Sequence, residues 1–209
     1  VAARTTQGDR ILLRVLLGAL CLLTLAVVAS ALYRMALYQE AYGYTVLRLF
    51  VDGFELWLGL VVVLLLVTGI RLSGQWLARA ILISAAVFTL AFAAMNPDAW
   101  VAQRNIERFE AGRSLDTLYL STLSADATPT LVDRLPTEVT RCMFGLRDFA
   151  ALRDDALAWN LGRDRAQAAL DGADGVGPNA DGVDCTRVIT DDYRGEGTPL
   201  SSVPSDYPA

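Results

Sequence analysis

Thr45, Arg48, Asp52, Glu55 and Gly59 follow one another at spacings of three, four, three and four, so on a helix they fall on a single stripe. The stripe leads into fifteen residues without a charge, 56–70. A carboxylate held at hydrocarbon depth costs about 2.5–3.5 kcal/mol, so such a stripe must face other helices or water rather than lipid. One chemistry that suits it is a polar pocket or a proton or ion path, with Glu55 the deepest titratable group and Arg48 supplying the counter-charge. The competing reading keeps the chain up to Glu55 among the lipid headgroups, with Tyr38, Tyr42, Tyr44 and Trp57 as an aromatic belt. In "QEAYGY" a tight turn at Gly43 would bring Glu40 against Arg48, although a plain turn between two spans is the expected structure there.

Little else in the chain is equipped for catalysis. All eighteen basic residues are arginine, and there is no histidine. That excludes serine and cysteine nucleophile systems built on imidazole, the commonest general base, and nearly every catalytic zinc site. Cys21, Cys142 and Cys185 stand singly, without the paired spacing of a structural metal site. Asp171, Asp174, Asp181 and Asp184 could supply oxygen ligands, but "DGADGVGPNADGVDC" lacks the spacing and terminal glutamate of a calcium loop and reads as solvated linker. No catalytic, cofactor-binding or metal-ligating set is expected, and the chain is read as a non-enzyme.

The elements that position the stripe are membrane helices. Hydrophobic residues make up 54% of the chain and its mean hydropathy is +0.37, values too apolar for an ordinary soluble domain. Residues 15–32 are eighteen positions without a charge, about 27 Å of helix against about 30 Å of hydrocarbon. Two further apolar runs, 56–70 and 80–95, reach spanning length only by extending backward past Glu55 and Asp52 and past Arg79. Three spans are expected, at about 12–33, 48–70 and 74–95, within a membrane domain over 1–95. The fold class is all-α.

Composition then changes at "NPDAW". Residues 1–95 carry seven arginines against four acids and 96–209 carry eleven against nineteen, so the halves differ in sign. The acidic half argues against nucleic acid as a partner. Over 96–170 a helical module is expected, starting with Asn96 as N-cap and Pro97 at the first helical position, with Ala99, Ala102, Ile106 and Phe109 on one face and Gly112 at its end. A second helix is read with Ser114 as cap, then a short third in "DATPTLVDRL". A long amphipathic stretch over 137–170 carries Val139, Cys142, Met143, Leu146, Phe149, Leu157 and Leu161, with breaks possible near Gly145 or Ala150. Residues 171–209 contain six glycines and four prolines among many aspartates and are read as an irregular acidic tail with little capacity to form a core.

"SALYRMALYQEAYGYTVLRL", "NPDAWVAQRNIERF", "LDTLYLSTLSADATPTL" and "WNLGRDRAQAAL", taken in order, resemble the C-terminal part of a bacterial multi-pass membrane family, domain-of-unknown-function family 4173, common in actinobacteria. The resemblance covers about residues 30–170. It implies further spanning helices upstream in longer members, so that Val1 is either the start of a fragment or a GUG-initiated start. It implies no activity.

By elimination Cys142 and Cys185 are the candidate disulfide, since Cys21 lies among leucines inside the first span. A loop of that separation is worth on the order of 4 kcal/mol in the chain-entropy model and persists only in an oxidising compartment. Two unrelated thiols in a cytoplasmic module is the alternative. Arginines near the membrane divide evenly, Arg4, Arg10, Arg14, Arg71 and Arg79 against Arg34, Arg48, Arg104, Arg108 and Arg113. The acidic module crosses more readily than a basic one, which favours the N-terminus inside and the module outside a bacterial plasma membrane. The expected function is an anchoring, assembly or sensory subunit acting through contacts with the bilayer and other membrane subunits. The alternative is a transport or proton- or ion-coupled subunit using the stripe.

Overall fold

Thirty-six consecutive residues contain no proline and no helix-breaking turn chemistry, and they form one helix, α1 (Gln7–Tyr42). The computed structural model describes residues 7–71, 75–144, 160–173, 185–190 and 192–194, and the chain divides into two compact units, Val1–Pro97 and Asp98–Ala209. α1 continues beyond the span expected at 12–33 because Arg34 to Tyr42 are mostly good helix formers. It stops at Gly43, whose φ of 87° is open to glycine and strained for other residues. Gly43 N donates to Gln39 O at 2.9 Å, closing the last turn. Thr45 then accepts from the amide of Arg48 at 3.2 Å and caps α2 (Val46–Arg71).

α3 (Leu77–Ala94) completes the first unit. All three helices are long and apolar enough to cross a membrane. Leucines, isoleucines and valines lie exposed along each of them, Leu23 at 66%, Leu47 at 71% and Leu90 at 70%, a pattern that suits lipid and not water. α2 and α3 pack through a ladder of rings. Phe50 meets Phe92 edge to face at 5.5 Å, and Phe88 lies between Phe50 and Trp57 at 6.2 Å and 6.4 Å. Gly53 makes room for it: a methyl group there would come within 3.0 Å of the Phe88 ring. Trp57 Nε1 donates to Ser84 Oγ at 3.2 Å in the same interface.

Asn96, expected as the N-cap of the next helix, sits at φ 53°, a left-handed conformation that asparagine tolerates. Pro97 opens α4 (Pro97–Glu110). The second unit is a cluster of short helices: α5 (Thr117–Leu120), a single 3-10 turn at Ala125–Ala127, α6 (Thr128–Arg134), α7 (Thr137–Phe144), α8 (Leu161–Asp171) and α9 (Cys185–Val188). Among the described residues there is no named strand. The cap of α5 is Asp116, whose carboxylate accepts from Tyr119 N at 2.7 Å, and not Ser114. Asn160 starts α8 afresh by accepting from Arg163 N, so the stretch 137–170 is not one continuous helix; Gly145, Leu146, Phe149, Ala150 and Leu157 lie outside the described residues.

The core of this unit contains Val101, Ala102, Ile106, Leu115, Leu120, Leu131, Val139 and Ala166. Each fully buried valine, leucine or isoleucine among them contributes about 1.5–3 kcal/mol. Part of the expected tail belongs to it: Val188 and Tyr193 are buried, and Leu115 and Tyr193 exchange both backbone hydrogen bonds, at 2.8 and 2.9 Å. Thr117, wholly buried, ties the same segment down, its hydroxyl accepting from Thr190 N at 2.9 Å and lying within bonding distance of the Val188 and Thr190 carbonyls. Cys142 and Cys185 are joined, with Cα atoms 5.4 Å apart. Burial raises the Asp192 carboxyl, yet hydrogen bonds from Arg194 and Ser114 and the charge of Arg194 outweigh it and hold the group below its ordinary value. Three anchors therefore hold this acidic segment, the disulfide, the bridge and the buried hydroxyl of Thr117.

Candidate functional site

The stripe on α2 faces inward. Thr45, Arg48, Asp52 and Glu55 are half-buried and Gly59 is buried, while Leu47, Phe50, Phe54, Leu56, Leu58 and Leu60 on the other side are exposed. The helix that continues from "TVLRLFVDGFELWLGL" makes this separation, because positions three and four apart share a face and the residues between them do not.

Asp52 reaches across to α1, where Gln39 Nε2 donates to its Oδ2. Gln39 is the one buried polar residue of the described first unit, at 7% exposure, and sequence reasoning passed it over. Its signal was available: Gln39 lies four residues before Gly43 and therefore on the last turn of α1, facing back along α2 once the chain reverses. The other Asp52 oxygen, Oδ1, and Glu55 Oε2 are shielded from solvent and have no hydrogen-bond partner among the described residues. Bare carboxylate oxygens of this kind are costly unless something further satisfies them.

Arg48 is not the counter-ion of either acid. Its Nη1 donates to the carbonyl of Gly43 at 2.8 Å, and no ion pair joins it to Glu40, Asp52 or Glu55 among the described residues. A carbonyl at the C-terminal end of α1 is free of its own helix and lies at the negative end of the helix dipole, which a guanidinium complements. Arg48 thus locks the α1–α2 turn. Glu40, the next residue of α1 after Gln39, is exposed. Trp57 points into the α2–α3 interface toward Ser84, so it is no part of an aromatic belt, whereas Tyr38 and Tyr42 stack at 5.5 Å on the outside of α1.

The level of the acids follows from the packing. Trp57 is opposite Ser84 and Gly53 opposite Phe88, which sets Glu55 level with about residue 86 of α3. That is close to the midpoint of α3, whose eighteen residues span about 27 Å. Asp52 lies one turn nearer the Gly43 end.

Of the aspartates in the loose calcium-like run, Asp171 ends α8 and accepts from Gln167 Nε2 at 2.7 Å, while Asp174, Asp181 and Asp184 lie outside the described residues. Among the described residues no group of three ligating side chains gathers.

In comparisons with known proteins, the family described as Domain of unknown function (DUF4153) matches residues 1–134, in place of the family numbered 4173 that the quoted phrases resemble. Neither a search of curated proteins nor one of solved structures returns a match.

The Gln39–Asp52 contact is testable by removing either partner. Gln39→Leu leaves Asp52 with both oxygens bare and should cost about 1–3 kcal/mol, whereas Gln39→Leu combined with Asp52→Leu should recover most of it, since matched apolar replacement of both partners is nearly neutral. Unfolding of the purified protein in a detergent titration measures all four corners of the cycle; strictly additive losses would remove the contact from the account.

Proposed function

Because the chain belongs to the DUF4153 family, a family of unknown function matched over its three apolar helices, we propose that it is an integral membrane protein that works as a non-enzymatic assembly or sensory subunit. The observation that carries this reading is the state of α2. The acids are turned away from lipid but only partly satisfied by α1 and α3, and the outer faces of the bundle are left open. Its partners are the bilayer and other membrane proteins. An anchor embedded alone has no use for bare carboxylate oxygens at this level.

The depth supports the same view. If the hydrocarbon ended at Leu56, the exposed Leu47 and Phe50 of α2 and Val87 and Leu90 of α3 would stand in the headgroup layer or in water. Covering them extends the hydrocarbon past Asp52, which makes the headgroup reading of the stripe expensive. The experiment is the native size of the tagged full chain after extraction from its own membranes in a mild detergent. A species larger than the detergent-bound monomer is expected, and a monomer would sink the proposal.

One observation favours a second reading, coupling to a proton or an ion: Glu55 is the most deeply placed acid and its Oε2 is bare. Under it, Glu55→Gln preserves insertion and native size but abolishes any proton- or ion-linked activity of the host membrane. Unchanged activity with both Glu55→Gln and Glu55→Leu removes that reading.

The chemistry of the second unit supports one orientation. The Cys142–Cys185 bond is what an oxidising compartment maintains, and it supports a module outside the plasma membrane with the N-terminus inside. Three spans put the two ends on opposite sides. Without reductant, a membrane-permeant alkylating reagent should leave Cys142 and Cys185 unmodified in cells, and should modify both once reductant is added. Modification of both in untreated cells would refute the outward placement.

A further inference from the structure

We propose that the Cys142–Cys185 disulfide is a redox latch: while it is intact it straps the segment 185–194 over the edge formed by residues 115–118, and its reduction by a dithiol releases the strap and uncovers that edge without unfolding the helices beneath. The contacts that seat the strap are of one kind. Leu115 and Tyr193 exchange both backbone hydrogen bonds, Leu118 N donates to the Thr190 carbonyl at 3.1 Å, and the Thr117 hydroxyl accepts from Thr190 N at 2.9 Å. Each of these bonds meets the strap at a main-chain atom, the way an extended peptide is held at an open edge. Its side chains add little, since Val188 and Tyr193 are buried but Thr186, Arg187, Asp192 and Arg194 are exposed. The ion pair between Arg194 and Asp192 joins the strap to itself.

The helices beneath have a core of their own. Val101, Ala102 and Ile106 on α4, Leu120 on α5, Leu131 on α6, Val139 on α7 and Ala166 on α8 are fully buried or nearly so, and none belongs to the strap. What the disulfide changes is the length of chain that must be closed for the strap to seat. With Cys185 fixed beside Cys142 on α7, Val188 lies three residues from an anchor. Without the bond, the nearest upstream element among the described residues is α8, which ends at Asp171, seventeen residues before Val188. Closing the longer loop lowers the seated-to-released ratio about tenfold.

The bond is placed to be reached. Cys142 and Cys185 are each half-buried, whereas Val139 and Met143 on the same helix α7 are buried. A thiolate of the dithiol attacks one of the two sulfurs, and the other cysteine leaves as a thiol. The second thiol of the reductant then resolves the mixed disulfide, so that the reductant ends as a disulfide and two electrons and two protons pass to Cys142 and Cys185. Uncovered, the edge presents the amides of Leu115 and Leu118, the Leu115 carbonyl and the Thr117 hydroxyl, all of them satisfied by the strap in the oxidised state.

The test is hydrogen exchange of the purified full chain in mild detergent, oxidised, reduced with dithiothreitol, and reoxidised. Reduction should lower amide protection about tenfold at Leu115, Leu118, Thr190 and Tyr193 while Val101, Ile106 and Leu131 keep theirs, and reoxidation should restore the first set. Cys142→Ser combined with Cys185→Ser should show the reduced pattern without reductant. Unchanged protection at the four strap and edge amides overturns the latch, as does a disulfide that survives excess dithiothreitol. Loss of protection that spreads to Val101, Ile106 and Leu131 overturns it too, because the bond then holds up the whole module.

Discussion

A charge turned toward hydrocarbon would have nowhere to go for solvation, and α2 is arranged so that its charges are turned away from its apolar outer face. α2 carries an arginine and two carboxylates within its first ten residues, yet the side it turns outward at the same level is leucine and phenylalanine. Each polar group is given to a neighbour in a different way. Arg48 takes the free carbonyl at the end of α1, Asp52 takes the amide of Gln39, and Glu55 is sheltered between helices. The sorting is unfinished among the described residues, since Asp52 Oδ1 and Glu55 Oε2 are shielded from solvent without a hydrogen-bond partner.

The turn between α1 and α2 is where the sorting is enforced. Gly43 supplies a positive φ that reverses the chain in three residues, Thr45 caps the new helix, and Arg48 reaches back to the Gly43 carbonyl, so one short segment satisfies its own backbone and fixes the register. That register brings Gln39 to Asp52. On the far side of α2 the ring ladder of Phe50, Phe88 and Phe92, with Gly53 clearing space, sets α3 so that its middle meets Glu55.

The second unit solves a different problem, an acidic segment with few apolar groups. Burial alone would not hold residues 185–194, and the structure adds a covalent link to α7, a two-bond bridge at Leu115 and a buried hydroxyl at Thr117 that meets three backbone groups of the segment. Composition argued for an irregular tail over 171–209, but Val188 and Tyr193 within it are core residues. They were hard to find because two apolar side chains separated by five positions carry no periodic signal.

Residue order by itself determined what local chemistry determines: three long apolar helices, the change of character at Pro97, an all-α fold, and a stripe on α2, since helical spacing puts residues three and four apart on one face whatever lies nearby. Composition also left Cys142 and Cys185 as the pair available outside the spans. Tertiary structure decided everything that depends on which helix comes next to which. Arg48 and Asp52 are one turn apart in sequence and look like an ion pair, but the turn at Gly43 offers Arg48 an unpaired carbonyl and brings Asp52 a buried amide, and neither competitor is visible in a helical wheel. The level of Glu55 against the middle of α3 exists only once the helices are packed. A sequence fixes the face on which a charge stands, and packing alone fixes the depth and the neighbour that meets it.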